Sequence, residues 1–191
     1  MDLLLGVFSA FGLSASAGLN AYIPLLVVAL VARFTDLIKL NPPWDTMTSP
    51  WVIGLLIVLI LIEFFADKVP AVNHANDLFQ TVVRPVAGAI LFAASAKVIT
   101  DIHPVLSIIA GLLVAGSVHT VKSAAVRPAV TATTGGAGNV PVSILEDIIS
   151  TGLSILAIVI PVFIAIILIL FTSWVIWWLW RRENRTLVET R

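Results

Sequence analysis

The sequence predicts an all-α fold, a polytopic transmembrane helical bundle of about five spans with interrupted or re-entrant first and last segments. Three observations carry that expectation. Of the 191 residues 59% are hydrophobic and only 12% charged, against about 45–50% and about 25% in soluble domains. The apolar residues gather in runs close to bilayer length, and mean hydropathy is +1.07. Those runs also lack the alternation, over about ten residues, of outer-membrane barrel strands. A single integral membrane domain over residues 1–191 follows, with 1–100 and 101–191 as candidate pseudo-repeats.

Taken in order, Leu3 to Phe34 would reach about 48 Å as one helix, against a hydrocarbon core of about 30 Å. Ser14-Ala15-Ser16-Ala17-Gly18-Leu19-Asn20, followed by Pro24, offers a break, because Gly tolerates non-helical dihedrals and Pro lacks an amide donor. A tilted helix using small residues for close packing accounts for the same residues. The opening MDLLLGVFSAFGLSASA imitates a cleavable signal. It has no basic leader and the apolar pattern resumes at once, so it reads as retained.

Thr35 to Pro50 is a polar connection, and Trp51 opens a span that ends in Glu63 and Asp67, which share a helix face. Lys68 to Asp77 reads as a second connection. Asp77 then caps a helix that carries Thr81, Arg84 and Gly88 on one face and runs to about Ala96. After a loop from Lys97 to His103, Pro104 starts a helix that continues toward Arg127-Pro128. Thr131 to Pro141 has loop composition. Val142 to Trp180 would reach about 58 Å, so it bends, tilts or divides, with Pro161 as the expected kink. Before it, Ser143, Glu146, Asp147, Ser150, Thr151 and Ser154 form a polar stripe at helical spacing.

With five spans, the side holding Arg33, Lys39, Lys97 and the C-terminal arginines has seven of the eleven basic residues and every Trp. The positive-inside tendency makes that side cytoplasmic. Net charge is zero, so no nucleic-acid partner is expected. Without Cys there are neither disulfides nor thiolate nucleophiles. No cofactor is expected. His74 with Asp77, or His119 with Glu146, could hold a divalent cation, but no compact ligand motif is present, and capping or hydrogen bonding is the simpler role.

The remaining charges gather toward the opposite side: Glu63, Asp67, Lys68, His74, Asp77, Arg84, Lys122, Arg127, Glu146 and Asp147. Isolated charges in hydrocarbon are costly, so ionisable residues between apolar flanks are candidates for a functional site. Arg84, about 10 Å below a helix start at Asp77, calls for a carboxylate partner. The candidate substrate-binding set is Asn20, Asp67, Lys68, Asp77, Arg84, His119, Lys122, Arg127, Thr134, Asn139, Glu146 and Asp147. Interfacial charges and caps closing a small bundle explain the same residues more plainly. The turn Thr133-Thr134-Gly135-Gly136-Ala137-Gly138-Asn139 lacks the Lys-Ser/Thr ending of a phosphate-binding loop, and Glu146 and Asp147 would repel an anion. A flexible or re-entrant substrate-contact loop is expected there. Val83-Arg84-Pro85 recurs as Val126-Arg127-Pro128, and Asp77-x-x-x-Thr81 as Asp147-x-x-x-Thr151, a weak internal repeat of the kind transporters carry.

In its ordered set of short motifs the chain resembles a family of small bacterial membrane proteins catalogued as a domain of unknown function (four-one-two-six). The motifs are Gly18-Leu19-Asn20-Ala21-Tyr22-Ile23-Pro24, Phe65-Ala66-Asp67-Lys68-Val69-Pro70 with Asn76-Asp77, and Thr81-Val82-Val83-Arg84-Pro85. His119, Lys122, Arg127-Pro128, Thr133-Thr134-Gly135-Gly136 with Asn139, and Leu145-Glu146-Asp147 complete the set. The resemblance implies an integral inner-membrane protein and imports no activity. The residues themselves favour a transporter or channel-like protein that moves a polar or ionic solute through a charged intramembrane cavity. The partners expected are the lipid bilayer, that solute or an anionic lipid, and further copies of the chain. A scaffold or anionic-lipid-binding module is the alternative. An intramembrane enzyme using His119 with Asp147 is the least supported reading, since no nucleophile–base motif is present.

Overall fold

The computed structural model describes residues 2–66, 70–95, 103–160, 167, 169–178 and 181, with backbone alone at 2–5, 70–75 and 77. Among these residues every regular element is helical and none is a strand. The first apolar region is two helices, α1 (Asp2–Leu19) and α2 (Tyr22–Phe34). A short 3₁₀ turn, Trp44–Thr48, leads into α3 (Pro50–Ala66), and α4 (Pro70–Ser95) follows. Then α5 (Pro104–Val121), a π-helical turn (Lys122–Val126) and α6 (Arg127–Thr134) form a continuous 31-residue rod. The rod is followed by α7 (Asn139–Val159).

Three helical stretches are long and apolar enough to cross a membrane: Leu78–Ser95, Pro104–Thr134 and Asn139–Val159. The bundle is inside out relative to a soluble protein. Trp51 (88% exposed), Leu78, Val82, Leu113, Ile148 and Val159 point outward, while Arg84, Glu63, His119, Lys122, Arg127 and Glu146 are buried. An apolar exterior this extensive is stable only against lipid or another apolar surface. The chain is a membrane-associated helical bundle.

The first helix sits at the centre, packed against α4, α5 and α7. Its inward positions are small, with Ala10, Ser14, Ser16 and Ala17 fully buried, so three helices can approach it closely. The tightest approach is between α4 and α5. A side chain at Gly111 would place its Cβ 2.6 Å from Ala89 Cα, and one at Gly88 would lie 2.8 Å from Gly111 O. Ser14 Oγ donates to Gly88 O at 2.8 Å, closing α1 onto the same contact.

Two boundaries differ from the sequence expectation. Pro70 to Asp77 is helical, not a connection, so Asp77 lies inside α4 and is not its cap. Pro70 is acceptable there because a first-turn amide needs no intrahelical partner. Arg84 is therefore about 21 Å from the start of its helix, although only about 9 Å from Leu78, where the apolar stretch of that helix begins. The loop foreseen from Thr131 to Pro141 shrinks to Gly135–Gly138. Thr133 and Thr134 stay helical by bonding their hydroxyls to Ala129 O and Val130 O at 2.9 and 2.7 Å. Gly135 and Gly136 then take φ of 63° and 92°, a left-handed turn that side chains disfavour. α7 ends at Val159, two residues before Pro161, and the kink foreseen at Pro161 lies outside the described residues.

Candidate functional site

The site is built around the interruption between α1 and α2. Ending one helix and starting another inside a bundle exposes backbone groups that water cannot satisfy. Asn20 answers for the start of α2: its Oδ1 accepts from Tyr22 N and Ile23 N, both at 3.0 Å. Pro24, next in line, has no amide to satisfy. The Nδ2 group of Asn20 donates to Asp147 Oδ1 on α7 at 2.9 Å. At the end of α1, Lys122 Nζ donates to Leu19 O at 3.0 Å. A cation at a helix C-terminus also complements the peptide dipoles. Of the two readings of the first apolar region, the break is the one that forms.

Lys122 also pairs with Glu146 Oε2 at 2.7 Å, and Arg127 reaches the same oxygen at 3.4 Å while donating to Ser143 Oγ at 3.0 Å. In an α-helix, residues five apart point about 140° away from each other. Here the Arg127 amide bonds Lys122 O across the π turn, which brings the two side chains back to one side. Pro128 contributes by removing the amide an ordinary turn would have used. The irregular turn thus lets one glutamate bridge two cations. Such bulges occur frequently at functional sites.

A second pair lies next to the first. Arg84 Nη2 meets Glu63 Oε1 of α3 at 3.1 Å, with side chains only 1% and 3% exposed. Arg84 Nη1 faces His119 Nδ1 at 3.2 Å, and His119 Nε2 faces Thr81 Oγ1 at 3.2 Å. A guanidinium only donates, so Nδ1 accepts and Nε2 carries the ring proton toward Thr81. The Tyr22 side chain lies beside Gln80 and within electrostatic reach of Glu63 and Arg84, while Lys122 feels Arg84 through space. The two ion-pair groups and the helix break are one polar core. Its described charges balance, with Arg84, Lys122 and Arg127 against Glu63, Glu146 and Asp147.

Below the break runs a serine ladder. Ser16 Oγ donates to Ser150 O at 2.7 Å and lies 2.7 Å from Ser154 Oγ, and Ser154 Oγ donates to Ser150 O at 2.7 Å. The stripe foreseen on the last apolar segment is this seam against α1, with Ser143, Glu146, Ser150 and Ser154 buried.

Of the candidate residues, the structure brings Asn20, Arg84, His119, Lys122, Arg127, Glu146 and Asp147 together. Thr134 and Asn139 do not join them. Thr134 Oγ1 accepts from Gly138 N at 2.9 Å, and Asn139 Nδ2 donates to Thr131 Oγ1 at 3.0 Å, so both shape the exposed turn. Asp67 and Lys68 lie outside the described residues, and Asp77 and His74 are described in backbone alone. Among the described residues no group of three or more His, Asp or Glu is placed to hold a metal ion. The sequence reading left out Tyr22, Gln80, Ser143 and Ser16 as site residues, and left Glu63 unassigned to Arg84. A signal existed for Gln80, which precedes Arg84 by one helical turn. Glu63 and Arg84 sit on different helices, and no local spacing pairs them.

No curated protein and no solved structure matches the chain. The family described as a domain of unknown function, DUF4126, matches over residues 7–182, nearly the whole chain, and the chain belongs to it.

Proposed function

We propose that the protein is a small transporter or channel-like protein that moves a polar or ionic solute past the interrupted α1–α2 helix. One observation carries this reading: a broken helix whose backbone ends meet a buried core in which the described charges balance, inside an apolar shell. Discontinuous helices at the bundle centre are the recurring means by which transporters present peptide ends to a solute. Buried ionisable groups in a membrane are expensive, and a plain anchor has no use for six of them. In a transport cycle the Glu146 fork and the Arg84–Glu63 pair are the contacts that exchange partners with the solute. The distribution of basic and Trp residues supports a cytoplasmic C-terminus in a bacterial inner membrane. The apolar concavity at Pro50, Trp51, Gly54, Leu55 and Val58 supports packing against a further copy of the chain.

The test is electrogenic and tracer flux into proteoliposomes, across a panel of inorganic ions and small zwitterions. A solute that the wild type moves, and that Arg84→Met, Arg127→Met and Glu146→Gln do not, supports the reading. Flux indifferent to all three substitutions removes it. The closeness of the pairing favours a second reading, a membrane scaffold or anionic-lipid-binding module without transport. Native mass spectrometry that retains an anionic lipid or a partner, with no flux in the same preparation, selects that one.

A further inference from the structure

A helix that ends in apolar surroundings leaves carbonyl oxygens with partial negative charge and no amide to receive. At the end of α1 that oxygen is Leu19 O. Its helical donor would be Ile23 N, which is diverted to Asn20 Oδ1. From the opposite side α7 brings a carboxylate oxygen, Glu146 Oε2, to the same point. The two oxygens close on one positive centre, Lys122 Nζ, at 3.0 and 2.7 Å. A freed main-chain carbonyl with a carboxylate, buried at a helix end, is the hard-oxygen donor set that binds small cations.

We propose that the end of α1 is a monovalent-cation position, which this chain fills with its own Lys122 ammonium. The charges that face Lys122 fit the assignment. Glu146 attracts it, while Arg84 from α4 and Arg127 from the next turn act on it repulsively. Glu63 balances Arg84, Asp147 is engaged by Asn20, and His119 on the same rod is turned toward Thr81 and Arg84. The π turn serves the same end, because it lets Lys122 reach inward while Arg127 keeps its hold on Glu146. The assignment rests on this geometry alone and does not need the transport reading.

Lys122→Ala removes both ammonium and stem and leaves Leu19 O and Glu146 aimed at the vacated space. Purified wild type and variant are melted in detergent with sodium, potassium, lithium or choline chloride at equal ionic strength. The wild type is expected to melt at one temperature in all four. Lys122→Ala is expected to gain about 5 °C or more in a small cation over choline, the shift a site gives near a hundredfold excess over its Kd. The double variant Lys122→Ala/Glu146→Gln is expected to lose that dependence. The proposal is overturned if Lys122→Ala behaves alike in all four salts, or folds in none of them. It is equally overturned if the wild type shows the same gain, or if the double variant keeps it. Proteoliposome flux plays no part in this readout, so the transport reading can fail while the cation position stands, and the reverse.

Discussion

Replacing Glu63 by Gln is the sharpest probe of the buried core. The amide keeps the shape and an acceptor oxygen for Arg84 Nη2, and removes only the negative charge. Arg84 is 1% exposed, so its guanidinium has no route to water. Breaking a buried pair from one side typically costs about 3–5 kcal/mol, because the surviving charge is left uncompensated. In a chain of this size each kcal/mol shifts the melting temperature by about 2–4 °C, so a fall of about 6–20 °C is expected. Arg84→Met should cost a similar amount for the converse reason. The double variant Glu63→Gln/Arg84→Met should recover most of the loss, since neither charge remains to be solvated. Thermal unfolding of the four proteins in one detergent gives the coupling directly. If the double variant loses the sum of the single losses, the two residues do not act as a pair and the description of the core is wrong.

Further outcomes are expected at Gly111 and at Asn20. Gly111→Ala drives a methyl against the α4 backbone at Ala89, 2.6 Å away, and should destabilise by about 1–3 kcal/mol, whereas Gly152→Ala meets nothing within 4 Å and should be neutral in the same melting assay. Asn20→Ala removes the acceptor for two α2 amides and should cost about 1–2 kcal/mol. Asn20→Asp keeps that acceptor but sets a second carboxylate against Asp147, so it should melt lower than Asn20→Ala. The opposite order would show that capping outweighs charge at the break.

The fold class was legible because bilayer-length apolar runs are a one-dimensional signal, and the helix start at Pro104 is marked by proline itself. The need of Arg84 for a carboxylate was also legible, from burial cost alone. The identity of its partner was not, since Glu63 reaches it only through the packing of α3 on α4. The turn at Thr131 to Pro141 was misjudged because composition counts threonine as loop-forming, whereas Thr133 and Thr134 return their hydroxyls to the helix. The sharing of Glu146 by Lys122 and Arg127 was hidden for another reason. A π turn breaks the 3.6-residue period on which every face assignment depends.

Because α1 packs against α4, α5 and α7, which all follow it in the chain, it is synthesised before any of these neighbours and completes its contacts only when the last of them arrives. Ser16 waits for Ser150 and Ser154, and Asn20 for Asp147, separations of 127 to 138 residues. Until α7 arrives, those groups face lipid or one another, and Lys122 has no Glu146. Maturation of the protein is therefore governed by the docking of its final described long helix. A nascent chain halted before residue 143 should remain a loose, protease-sensitive intermediate however well its earlier segments have inserted.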